Sequence, residues 1–123
     1  MAFDAAILSE IVEKNDLHVA PFRNDEKTPG TPTLVWSVAV DGELYARAYS
    51  GVKSTWYQAA IEQKAGQITS IGRTFDVTFA PVHGAINDKI DAAYREKYTT
   101  DSYVPAMISE QAQAATVRIS PRK

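Results

Sequence analysis

The pair Asp41-Gly42, standing between the β-rich runs "TLVWSVAV" and "ELYARAY", restricts the fold of this chain more than any other feature. A two-residue connector between strands takes positive φ at both positions, which Asp and Gly tolerate, and the resulting type I′ turn matches the twist of an antiparallel pair. The first run is apolar on both faces. On the second, Tyr45, Arg47 and Tyr49 share one face, and Leu44, Ala46 and Ala48 share the other.

The remaining segments fit round that hairpin. "QITSI" and "RTFDVTFAPV" predict a second hairpin about Gly72, with Phe75, Val77 and Phe79 alternating toward a core. "DLHVAPF" and "ATVRISP" predict a strand near each end, and the charged, Pro- and Gly-rich "RNDEKTPGTPT" predicts a loop. Helices are predicted in three places. Asp4 caps the first, whose apolar face carries Ile7, Leu8, Ile11 and Val12 and which ends near Asn15. Ser54 or Thr55 caps the second, with Thr55 and Gln58 at capping-box spacing and Gly66 as its stop. The third, "AINDKIDAAYREKY", has Ile86, Ile90, Ala93 and Tyr94 on one stripe and an i,i+4 pair from Asp91 to Arg95. "SYVPAMISEQAQA" reads as short helical or irregular structure. About six strands with short turns and flanking helices predict an α+β fold, a small antiparallel split β-barrel, because closure removes the exposed edges of such a sheet.

With 123 residues, 45% of them hydrophobic, residues 1–123 predict a single domain with one core. No apolar run approaches the roughly 18 residues a membrane helix needs, and "MAFDAAILSE" lacks a signal peptide's basic start, so a soluble, cytoplasmic protein without a membrane partner is expected. Cysteine is absent, which excludes thiol chemistry and disulfides. His18 and His83 stand far apart with no second ligand at metal spacing, so no metal site is expected. The common hydrolase signatures are missing. The net charge of −2 disfavours nucleic acid as a partner, yet Arg47, Lys53, Lys64 and Arg73 against Glu62 make residues 47–73 net +3.

That basic stretch, "YARAYSGVKSTWYQAAIEQKAGQ", supplies the candidate site. A loop entering a helix presents unpaired N–H groups and the positive end of the helix dipole. Ser50 and Gly51 permit close approach, Lys53 and Arg47 add charge, and Ser54 and Thr55 add hydroxyls, a set suited to phosphate. On the plainer alternative, the hydroxyls are helix caps, Lys53 is solvated and Arg47 pairs with a carboxylate. Trp36, Tyr45, Tyr49, Trp56 and Tyr57 gather near this stretch, where aromatics either line a ligand cleft or build core and dimer contacts. Tyr94 and Tyr98, four apart, are expected to anchor the third helix to the barrel.

"LYARAYSGVKSTWYQAA" followed by "QITSIGRTFDVTFAPV" resembles the split barrels that bind flavin nucleotides, among them pyridoxamine-phosphate oxidases and deazaflavin-dependent nitroreductases. "LVWSVAVDGELYARAYSG", "WYQAA" and "DAAYREKY" are more closely similar to a small bacterial family of unknown function, DUF2255, grouped with those barrels. The resemblance implies a homodimer with a cofactor cleft. It further implies FMN or a deazaflavin held by Arg47, Ser50, Gly51, Lys53, Ser54 and Thr55, with Trp56 beside the pocket. Two functions are expected from it: an oxidoreductase-like protein using that cofactor, or a non-enzymatic module that kept the barrel, lost the cofactor and binds another small molecule or partner. The basic loop favours the first. Gln58, Ala59 and Ala60, standing where the nitroreductase-like relatives have Asn-Leu after their Trp-Tyr, favour the second.

Overall fold

A computed structural model describes residues 3–14, 16–23, 25, 27–48, 51–98 and 108–122. In chain order the elements are α1 (Ala5–Lys14), β1 (His18–Pro21), β2 (Thr33–Leu34), β3 (Ser37–Val40), β4 (Glu43–Arg47), a 3-10 turn (Gly51–Lys53), α2 (Thr55–Gln63), β5 (Ala65–Ser70), β6 (Arg73–Pro81), α3 (Ile86–Lys97), α4 (Glu110–Ala114) and β7 (Thr116–Pro121). The strands form one antiparallel sheet in the order β2-β1-β5-β6-β7-β4-β3. This is the α+β architecture expected, a curled antiparallel sheet with flanking helices.

The single strand expected from "TLVWSVAV" is two strands. Its first half pairs with β1, through Val19↔Thr33, and its second half with β4, through Val38↔Tyr45. The two outer strands of the sheet are thus one run of chain bent at Val35-Trp36, and the Val35 amide extends the β1 ladder by donating to the Leu17 carbonyl (3.0 Å). The sheet is curled, and its two outermost strands, β2 and β3, are consecutive parts of this one run.

Both hairpins have two-residue turns with positive φ throughout: Asp41 (52°) and Gly42 (81°), then Ile71 (51°) and Gly72 (71°). Ile71, expected in the strand, is a turn residue. A β-branched side chain is costly at positive φ, and the turn is held by the Asp16 carboxylate, which accepts from the Ser70 hydroxyl (2.6 Å) and the Ile71 amide (3.3 Å). The Ser70 hydrogen bond, first among the causes, lowers the Asp16 pKa below the usual carboxylate value.

Strand alternation divides the core as expected. Leu44, Ala46 and Ala48 join Val19, Ile68, Val77, Phe79, Val117 and Ile119 inside the barrel, closed by Leu8 and Ile11 of α1 and Trp56, Tyr57 and Ala60 of α2. Tyr45 on the opposite face packs with Val38 and Val40 against Ile90, Tyr94 and Tyr98 of α3. Two local expectations are corrected. Ser54 is the N-cap of α2 and makes no side-chain cap bond, so the Thr55–Gln58 box does not form. Lys64, not Gly66, takes the left-handed position ending α2 (φ 60°). Gly66 instead lies in β5 because β1 crosses so near that a Cβ there would stand 2.6 Å from the Ala20 oxygen and the Pro21 Cα. Of "SYVPAMISEQAQA", residues 102–107 lie outside the described residues, and the rest forms α4, capped by the Ser109 hydroxyl. Among the described residues no helix is long and apolar enough to cross a membrane.

Candidate functional site

The residues expected to form one phosphate clamp occupy different environments. Arg47 projects from β4 beneath α3 and is 1% exposed. Its Nη1 reaches the Asp91 carboxylate at 2.5 Å, its Nη2 the Asn87 side-chain oxygen at 2.9 Å, and its Nε the Thr116 hydroxyl at 2.9 Å. Gln113 of α4 donates to the other Asp91 oxygen (2.7 Å), and the guanidinium lies 5.4 Å from the Tyr94 ring centroid. Asp91, expected to pair along its own helix with Arg95, thus faces Arg47, because its stripe on α3 turns toward the sheet. A buried guanidinium requires a countercharge and filled hydrogen bonds, and β4, α3, α4 and β7 together supply them.

Gly51 is buried and structural. Its φ is 77°, and a Cβ would lie 2.4 Å from the Gln111 Cγ of α4, so the 3-10 turn packs directly on that helix. Lys53 is exposed and Ser54 half-buried. Tyr49 and Ser50 lie outside the described residues. Of the expected set, Thr55 and Trp56 line the cleft beside α2.

That cleft, about 630 Å³, opens between one face of α2 and the loop of residues 21–33, with Thr55, Trp56 and Glu62 on the helix side and Phe22, Arg23 and Asp25 on the loop side. Its size falls within the range of small-molecule sites. The helix side follows from periodicity, since 55, 56, 59, 62 and 63 share a face. The loop side is braced by its own bonds. The Asp25 carboxylate accepts from the amides of Lys27 (2.9 Å) and Thr28 (2.8 Å) and from the Thr28 hydroxyl (2.5 Å), and the Arg23 amide donates to the Thr28 carbonyl (2.8 Å). The Thr28 hydroxyl foremost holds the Asp25 pKa down to about 2, so this side chain is a carboxylate at neutral pH, and Glu62 and Arg23 line the cleft with it.

Behind the cleft Trp56 meets Tyr57 edge-on at 6.2 Å, and the Tyr57 hydroxyl donates to the Ala114 carbonyl (3.2 Å). Burial raises the Tyr57 pKa above its ordinary value. Trp36, by contrast, stacks on Tyr98 at 4.2 Å on the outer face of the barrel, away from α2. The Tyr94 hydroxyl donates to the Trp36 carbonyl (2.7 Å), so Tyr94 and Tyr98 anchor α3 as expected. Arg23, Asp25 and Glu62 were not singled out as ligand contacts from sequence. The signal for the loop was its Asp25-to-Thr28 spacing, which suits a side-chain-braced turn. Glu62 shares α2's Trp56 face only once the helix register is known. Among the described residues no three metal-ligating side chains cluster.

A family described as an uncharacterized protein conserved in bacteria, DUF2255, matches residues 7–119. No curated protein matches. Among solved structures, the crystal structure of a conserved hypothetical protein from Mycobacterium tuberculosis superposes with a TM-score of 0.68 at 15% identity, covering 100% of this chain and 82% of that one. This likeness bears on the fold alone.

Proposed function

The chain belongs to the DUF2255 family of bacterial proteins, and on that premise we propose that it is a small-molecule-binding module whose ligand lies in the cleft between α2 and the loop of residues 21–33. The observation that carries this reading is the cleft's composition: one aromatic residue on each side, Trp56 and Phe22, with Arg23, Asp25 and Glu62 also in the lining. Such a lining suits a flat ligand that is uncharged or bears both signs of charge, since either sign finds a partner. It suits a doubly negative phosphate poorly. Arg47 has its donors engaged beneath α3, and Lys53 is not part of the lining.

A second reading, an oxidoreductase-like protein holding FMN or a deazaflavin, is favoured by one feature. The N-terminus of α2, whose cap offers no side-chain bond, opens beside Thr55 at the cleft, an arrangement that favours an anion. The homodimer of the flavin-binding relatives belongs to this reading. A Trp36→Phe variant leaves Trp56 as the sole tryptophan and reports on the cleft. Saturable quenching by uncharged or zwitterionic aromatic compounds, with none by FMN or a deazaflavin, is the expected outcome. Saturable FMN or deazaflavin binding that Arg23→Ala weakens moves the assignment to the second reading, and silence toward every compound overturns both.

A further inference from the structure

Val12 and Glu13 of α1, with Lys97 and Tyr98 at the C-terminal end of α3, line a separate cleft of about 420 Å³. Lys97 is half-buried there. Its Nζ donates to the Ser37 carbonyl at 2.6 Å and lies 5.0 Å from the Tyr98 ring centroid. None of the salt bridges among the described residues includes it. The amine is thus held beside the cleft by a hydrogen bond to Ser37 and by the Tyr98 ring face, its partners among the described residues.

We propose that Lys97 is a covalent docking site for small, uncharged aldehydes that enter the cleft between α1 and α3. The Nζ lone pair adds to the carbonyl carbon while an N–H proton passes to the carbonyl oxygen, giving a carbinolamine. Loss of the hydroxyl with the remaining N–H proton releases one water and leaves an imine. One N–C double bond replaces the C–O double bond, and no oxidant or reductant is consumed. Val12 and the Tyr98 ring favour an apolar substituent, and the Glu13 carboxylate disfavours an anionic one.

Burial lowers the Lys97 pKa from 10.5 to about 8, so a larger share of this amine is neutral near pH 7 than of an exposed lysine. Among the described residues, Glu13 on α1 and Tyr98 at the end of α3 are the ionisable groups lining the cleft with it, while β3 presents the Ser37 carbonyl.

The test is competitive labelling of the intact protein with benzaldehyde and cyanoborohydride, which reduces each imine to a stable amine, followed by peptide mass spectrometry. At pH 7 Lys97 is expected to label at least about tenfold faster than the exposed Lys53 and Lys64, and the gap is expected to narrow as the pH is raised to 10. Val12→Phe, which fills the cleft, is expected to remove most of the preference. Equal labelling of Lys97 and Lys53 at pH 7 overturns the proposal, as does a preference that Val12→Phe leaves unchanged.

Discussion

A single position shows how local sequence rules can be satisfied by the wrong residue. Gly66 sits where a helix stop is expected, yet the chain leaves α2 one step earlier with Lys64 at φ 60°, because the close passage of β1 claims the glycine. The side chain of Lys64 is exposed, so its left-handed backbone is not offset by packing. A left-handed residue with a Cβ costs roughly 1–2 kcal/mol, part of which glycine returns as unfolded-chain entropy. Lys64→Gly is therefore expected to stabilise the fold by about 0.5–1 kcal/mol, read from the urea midpoint. An unchanged or lower midpoint would mean that Lys64 makes a compensating contact. The loop-to-helix chemistry around Ser54 and Thr55 was legible as a helix start, but neither the choice of Ser54 as the cap nor the lack of a side-chain cap bond was.

Among elements, α3 shows where sequence reading stopped. Its apolar stripe and the anchoring role of Tyr94 and Tyr98 followed from helical period. The partner of Asp91 did not, because the i,i+4 rule knows only its own helix, while Arg47 stands 44 residues away. The Arg47 side chain is 0% exposed and that of Asp91 11%. Removing the carboxylate leaves a guanidinium with no countercharge in a dry setting, a change that costs about 3–5 kcal/mol. Asp91→Ala is expected to lose that much in urea unfolding and to loosen α3, with Tyr94 and Tyr98 side-chain resonances broadening in NMR spectra. A loss below about 1 kcal/mol would mean that water reaches Arg47 and rescues it. The candidate site was partly legible for the same reason: α2 could be placed from its period and nominated Thr55 and Trp56, but the opposing loop becomes a wall only through tertiary contact.

For the molecule as a whole, the decisive element is the bent run of residues 33–40, which contributes to both sides of the sheet. Its two hairpin turns, its face alternation and the need to hide edges were readable from sequence, and so the split barrel was too. The bend was not, since "TLVWSVAV" carries no Gly or Pro at Val35-Trp36 to mark it. Because that run spans the gap between β1 and β4 on the side of the sheet away from β5, β6 and β7, opening the seam would expose Val35 and the barrel interior together. Closure should therefore make the seam as stable as the centre of the sheet. In native-state hydrogen exchange, the amides of Val35, which donates to Leu17, and Ile68, fully buried in β5, are expected to exchange with one opening free energy, equal to that of global unfolding in urea. If Val35 exchanges with an opening free energy lower by about 2 kcal/mol or more, the seam opens on its own and the sheet is a curled half-barrel whose edges only touch.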